Sequence, residues 1–379
     1  MGKVRDVACD RCFQDPELVA WIRQGGKVGP CPWCGARKAY TVPLYELGPL
    51  FREVSQIYVP CDSNHGDTIG YLLQDDWDIF SDRIERDPDL RDDLATSILK
   101  AGLHPKDDVD EPDYSSVFRH SGPDLEDHWE GRLEALLRKD TSVASSGDRA
   151  QPPEDALYFD PLEVALEDLT TDYAPGSVLF RARIHKERVR SEWFEPKDLS
   201  APPPDKTTVG RGNAARQPVL YLASDAETAL AEVRAWTGAA VAIGKFQTNR
   251  PLRLVDLVHS RRPKSPFFQE LLAWKLDVAG LLYTFADELS RPILPGEEQS
   301  LYLASQHLCA FIRENGYDGV IYPSAMGSGH NVLLFDPSAA NVVNVEYVRV
   351  TGVQHAFEVL GEGDAPYEEL PYNSLPPTS

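Results

Sequence analysis

Four of the six cysteines fall within the first 34 residues, and their spacing constrains the fold more than any other feature. Cys9 and Cys12 form one C-x2-C pair, and Cys31 and Cys34 form a second after 18 intervening residues. Each pair bends the chain so that two sulfurs face one point. Two such knuckles offer four thiolates to a single tetrahedral Zn²⁺. A segment this short cannot fold by burial of apolar surface alone, so a bound metal would supply about 10 kcal/mol or more of folding free energy. Pro30, Trp33 and Gly35 suit a tight second knuckle. Four protein ligands leave no open coordination position, so the expected zinc is structural. Disulfides are the competing reading, and they fit poorly with the expected cytoplasmic address.

That address rests on two observations. The segment MGKVRDVACDRC has no apolar run of the secretory kind. No apolar stretch in the chain is long enough to span a bilayer. The formal charge of −22, from 38 basic and 60 acidic residues, repels phosphate backbones over most of the surface and argues against general nucleic-acid binding. A local basic patch for a small anionic ligand remains compatible with it.

The sequence divides into five expected parts. Residues 1–44 form a zinc-ribbon-like module of four cysteines, and 45–140 a small helical domain. Within the latter, "DPDLRDDLATSILKAG" and "DHWEGRLEALLRK" carry apolar residues at helical spacing, the second with Trp129, Leu133, Leu136 and Leu137. Residues 141–172 open on the polar, turn-rich stretch "TSVASSGDRAQPP" and read as a linker. From 173 to 360 the texture changes to short strands, "SVLFRARI", "VLYLAS", "AVAIGKF", "LRLVDL", "GVIYPS" and "NVLLFD", with helices between them. That mixture predicts an α+β domain. Residues 361–379 are acidic and proline-rich and read as a disordered tail.

The stretch "GRGNAARQPVLYLASDAETALAEVR" concentrates candidate site residues. Gly210 and Gly212 flank Arg211, so the backbone can come close to a ligand while the guanidinium reaches it. Asn213 adds an amide and Tyr221 ends a short apolar strand. Ser224 and Glu227 fit an S-x-x-E capping box that starts a helix near Asp225. Glu232 then falls on the border of the stripe formed by Ala226, Ala229, Leu230 and Val233, a placement open both to a ligand and to plain solvation. Arg181 emerges beside Leu179 and Phe180 and needs an anionic partner, whether a ligand or a structural carboxylate. A further strand leads into the loop at Ser324 to Gly329, where Ser324 and Ser328 compete as the functional serine. Neither sits in a G-x-S-x-G elbow, and the chain has no HExxH and no Walker loop.

Arg181 in "LFRARI", Glu232 in "YLASDAETALAEV" and Ser324 in "IYPS" resemble the Arg, Glu and Ser of the RES domain family, over about Tyr173 to Leu360. The front end resembles the N-terminal region of longer RES proteins, classed with HEPN-like helical domains. Arg119 is followed directly by His120, so the R-x4-6-H motif of HEPN ribonucleases is missing and ribonuclease activity is not implied. The resemblance implies an ADP-ribosyltransferase-like fold and NAD⁺ as substrate. It implies a catalytic pocket of Arg181, Tyr221, Glu232 and Ser324, with Arg211 and Asn213 in the substrate loop. It also implies a toxin or defence effector with an antitoxin or regulatory partner. The N-terminal region of about 150 residues suggests regulation or assembly, including a homo-oligomer. Cleavage of the nicotinamide–ribose bond with water or phosphate is the first expected reaction. Transfer of ADP-ribose to a protein and a non-catalytic nucleotide sensor are the alternatives.

Overall fold

In the computed structural model, residues 5–61, 66–103, 114, 117–120, 124–140, 161–185, 193–291 and 302–354 are described. The expected linker lies outside these residues up to position 160, as does the whole expected tail at 361–379. Among the described residues, no helix is long and apolar enough to cross a membrane.

The chain begins with β1 (Val7–Cys9), α1 (Pro16–Gly25), β2 (Lys27–Gly29) and β3 (Ala39–Pro43). Proline at the first turn and Asp15, whose carboxylate accepts from the Leu18 amide at 2.8 Å, start α1. The three strands pair in the order β1-β3-β2. There follow α2 (Leu44–Ser55), β4 (Tyr58–Pro60), β5 (Asp67–Thr68), α3 (Ile69–Trp77), α4 (Asp82–Glu85), α5 (Pro88–Lys100) and β6 (Val117–His120). The region expected to be a small helical domain also holds a three-stranded sheet among its described residues, ordered β4-β6-β5. One apolar cluster runs through both parts, from Ala8 to Phe118, and crosses the boundary expected at residue 44.

Next come α6 (Asp124–Asp140), α7 (Pro161–Asp168), β7 (Thr170–Tyr173), β8 (Val178–Ile184), α8 (Pro196–Leu199), β9 (Leu220–Ala223) and α9 (Ala226–Glu232). The chain continues through β10 (Ala240–Thr248), β11 (Leu252–Asp256), α10 (Leu272–Ser290), α11 (Leu303–Glu314), β12 (Gly319–Pro323), β13 (His330–Leu334) and β14 (Ala340–Arg349). All eight strands from β7 onward form one sheet, ordered β14-β10-β8-β9-β13-β12-β11-β7. Only β11 and β12 run parallel; the other neighbours are antiparallel. The composition is the mixed α+β class.

Both faces of this sheet are covered. Leu333 of β13 packs with α10 and α11, whereas Val332 and Leu334 join Leu179, Leu222 and Phe246 on the other face. Two-sided burial explains the unbroken apolar run in "NVLLF". Helix α6 packs on α10: Trp129 is buried with its ring 4.9 Å from Phe285 and 6.2 Å from Phe311. Leu125 and Trp129 thus join the core of the large sheet. In the reverse direction, Phe267 and Leu272 reach into the first cluster, where Phe267 lies 5.2 Å from Phe51. Helix α10 therefore starts in the core of the cysteine-bearing part and ends at Ser290, beside the cavity described next.

Candidate active site

A cavity of about 240 Å³ opens where β9, β12 and β13 meet the ends of α9 and α10. Its lining includes Arg211, Tyr221, Glu232, Arg234, Tyr322 and Asn331. A larger cavity of about 570 Å³ is lined by other residues, among them Arg5, Asp92, Lys100 and Tyr114. That one has none of the candidate site residues, so size alone does not mark the site.

The first wall is the Gly210–Asn213 turn. Gly210 and Asn213 exchange backbone hydrogen bonds of 3.0 and 3.3 Å. The Tyr221 hydroxyl accepts from the Gly212 amide and donates to Asn213 Oδ1, each at 2.9 Å. Asn213 Nδ2 donates to the carbonyls of Thr208 and Ala214. Asn213 is buried and its side chain is consumed inside the loop. It shapes the turn and is not among the residues lining the cavity. A Cβ at Gly212 would run into the Leu333 side chain, so glycine lets the turn sit flat on β13. Arg211 stands at the tip, donating to the Leu289 carbonyl at the end of α10. Burial pushes the Tyr221 hydroxyl well above the usual tyrosine range, so it stays a neutral buckle for this turn.

The second wall is α9. Its N-cap is Asp225, not the expected Ser224–Glu227 box. The Asp225 carboxylate accepts from the Thr228 amide at 2.7 Å, and from the hydroxyls of Ser224 at 2.7 Å and Thr228 at 2.8 Å. Aspartate wins because a charged acceptor takes three donors at once. Burial alone would raise the Asp225 pKa, but these donors outweigh it and hold the group below the usual carboxylate range. The same cap ties down the neighbouring loop. Gly329 donates to the Thr228 hydroxyl at 3.2 Å and His330 to the Ser224 hydroxyl at 3.1 Å. A Cβ at Gly329 would overlap these three side chains, so only glycine fits.

Glu232 is the last residue of α9. Its carboxylate is exposed at the cavity rim, but it is not free in solvent. Oε1 accepts from Ser324 Oγ at 2.6 Å and from Asn331 Nδ2 at 2.7 Å. Ser324 Oγ in turn accepts from the Met326 and Gly327 amides at 3.2 and 3.0 Å. This serine is therefore a fastening for the carboxylate and the loop. Ser328 is exposed and has no part in this contact. Two residues on, Arg234 adopts a left-handed backbone at φ 50° and lines the cavity.

Arg181 is placed differently. The pairing of β8 with β9 is confined to Phe180 and Ala223, so the sheet parts next to Arg181. Arg181 is not among the cavity-lining residues. Its Nη1 is buried without a hydrogen-bond partner among the described residues. Burial and the nearby Arg183 push its pKa down to about 10, and the field of Tyr221 opposes them. Arg181 thus stands within electrostatic reach of Tyr221 without entering the cavity.

The structure gathers Arg211, Tyr221, Glu232 and Ser324 at one place, sets Asn213 behind the wall, and leaves Arg181 at the parting of the sheet. Sequence reasoning missed Arg234, Asn331 and Tyr322. Arg234 was visible as a cation two residues after Glu232. Asn331 and Tyr322 sat in strands read only for their apolar neighbours.

At the other end of the chain, the four sulfurs of Cys9, Cys12, Cys31 and Cys34 lie within 4.8 Å of one another. Three of the separations are 3.8, 3.5 and 3.5 Å. Sulfurs at tetrahedral corners about 2.3 Å from zinc are about 3.8 Å apart. The donor set fits Zn²⁺ in type and spacing. The thiols also perturb one another: the hydrogen bond from Cys12 is the main cause that draws Cys31 down to about 7.

Residues 178–352 match the model of the RES domain family. That segment contains every residue of the cavity just described. Among solved structures, a chain of the "M.tuberculosis MbcT-MbcA toxin-antitoxin complex" shares 15% identity, with 50% of this chain and 93% of that chain covered, at a TM-score of 0.28. The superposition is too loose to transfer any feature. No curated protein matches the chain.

Proposed function

We propose that this protein degrades NAD⁺ by cleaving the bond between nicotinamide and ribose, with water or phosphate as acceptor. One observation carries the reading. Glu232 has one carboxylate oxygen pinned by Ser324 and Asn331, while Oε2 takes no hydrogen bond from any described residue and belongs to a group lining the cavity.

Nicotinamide leaves NAD⁺ as a neutral molecule, so no acid is needed at the departing nitrogen. Positive charge builds up on the ribose. A fixed carboxylate facing that ribose stabilises the transition state more than the ground state. Ser324 fits the part of a fastener, since among the described residues no histidine–carboxylate relay is hydrogen-bonded to it. Arg211 and Arg234 supply cations at the same cavity, where a planar guanidinium matches phosphate oxygens. A volume of about 240 Å³ is below the roughly 300–1,000 Å³ of sites that enclose a drug-sized ligand. It suits the nicotinamide riboside half, with the pyrophosphate and adenosine extending outward. The parting beside Arg181, whose Nη1 has no hydrogen-bond partner among the described residues, is the place for an anion to be met.

The chemistry fits a toxin or defence effector that depletes NAD⁺ and is restrained by a protein partner. Transfer of ADP-ribose to a protein uses the same bond cleavage with a different acceptor. Incubation with NAD⁺ labelled in the adenosine half tests the choice. Free ADP-ribose or its phosphate supports degradation, and label retained on protein supports transfer. NAD⁺ binding without nicotinamide release would leave a sensor only.

A further inference from the structure

Asn331 is nearly buried, with 7% exposure, and it is the second residue of β13. It is held on both sides, paired with Ala223 of β9 and Tyr322 of β12. Its Nδ2 donates to Glu232 Oε1 at 2.7 Å, and the residue lines the cavity. Glu232 needs such a donor. It ends a helix, where the unsatisfied carbonyls repel a carboxylate. Its other donor, Ser324, belongs to a loop. Asn331 is the donor held by regular strand pairing.

From this arrangement we infer that Asn331 is the positioning residue for the reaction, a deepening that rests on the reading above. The strand amide fixes Oε1 and thereby turns Oε2 toward the substrate ribose. Asparagine is specific for the task. Leucine or alanine offers no donor, and aspartate offers one only when protonated. Two carboxylates facing each other share a proton. The carboxyl introduced by Asn331→Asp, holding one proton between itself and Glu232, therefore reproduces the native hydrogen bond. The other titratable or charged groups around this cavity are Arg211, Arg234, Tyr221 and Tyr322. Burial pushes both tyrosine hydroxyls up, so neither changes charge over a mildly acidic to neutral range. His330, next to Asn331 on β13, is held below the usual histidine range by burial, and its titration is common to wild type and both variants, so it cancels in their ratios.

The test compares the full-length protein with Asn331→Ala and Asn331→Asp, measuring kcat and KM for nicotinamide release between about pH 5 and 8. Loss of carboxylate alignment lowers kcat about 10- to 100-fold in both variants at neutral pH. The ratio of Asn331→Asp to wild type should rise as pH falls, while that of Asn331→Ala stays flat. Unchanged kcat in both variants with an active wild type overturns the inference and leaves the NAD⁺ reading intact. A wild type that releases no nicotinamide overturns the NAD⁺ reading instead. In that case crystal structures of the wild type and Asn331→Ala decide the positioning claim. A Glu232 carboxylate displaced from Ser324 in the variant supports it, and an unmoved carboxylate refutes it.

Discussion

Glu232→Gln separates charge from shape at the one group on which the chemistry turns. Glutamine can keep its amide oxygen where Oε1 stands, still accepting from Ser324 and Asn331. Its NH₂ then replaces Oε2, so the wall is preserved and only the negative charge is removed. Glu232→Ala is a worse probe, because it strands two donors at a cost of about 1–3 kcal/mol each where they are buried. A unit charge about 4 Å from a developing cation contributes about 4 kcal/mol at an effective dielectric near 20. At about 1.4 kcal/mol per tenfold in rate, that is roughly a thousandfold. Removal of single charge-stabilising groups elsewhere gives about 10²–10³-fold. The expected loss in kcat is therefore about 10²- to 10³-fold, with KM changed far less and the melting temperature held. The assay is time-resolved nicotinamide release from NAD⁺, followed by chromatography. A kcat within about threefold of wild type would refute the role of Glu232 in stabilising the ribosyl cation.

Arg181→Met replaces a buried guanidinium lacking a protein partner at Nη1 with an apolar stem. Removing such a charge leaves stability unchanged or raised, so the melting temperature should hold while KM for NAD⁺ rises about tenfold; a lower melting temperature with unaltered KM would make Arg181 a structural group. Metal analysis of the purified protein should find about one zinc per chain, and its absence from protein prepared without chelators would contradict a site at Cys9, Cys12, Cys31 and Cys34. Asp225→Ala should cost about 1 kcal/mol through the lost helix cap, read as a shift in the denaturation midpoint. Because the folded Asp225 pKa lies below its ordinary value of 3.8, its ionic contribution is complete above that value and disappears as pH falls through the lower folded one. Asp225→Asn should abolish that acid dependence while keeping the cap.

The cysteine knuckles and the strands from 178 onward were legible because each depends on local pattern, whereas spacing alone left Glu232 open to plain solvation, and resemblance to a known family singled it out with Ser324. Spacing alone brings two C-x2-C pairs together, and alternation alone marks β8 and β9. Partnership across long sequence distances was not legible. The Trp129 stripe could be read as apolar, but not as facing Phe285 rather than its own neighbours. Phe267 and Leu272 looked like ordinary core residues, and their insertion among Phe51 and the cysteine-bearing part has no local signature. The capping box failed on a finer point of chemistry: Ser224 and Asp225 are adjacent, and the charged side chain took the cap. Asn213 reads as a polar loop residue, yet its hydrogen bonds are all directed inward by Tyr221 and the loop carbonyls. Asn331 is the converse case, a polar residue inside an apolar strand whose meaning depends on a carboxylate 99 positions away.

Proton NMR of NAD⁺ incubated with the full-length protein, with and without inorganic phosphate, tests the central claim most directly. The account predicts free nicotinamide accumulating in proportion to protein, with ADP-ribose or its phosphate as the matching product. NAD⁺ that stays intact through prolonged incubation with folded, zinc-loaded protein would contradict it.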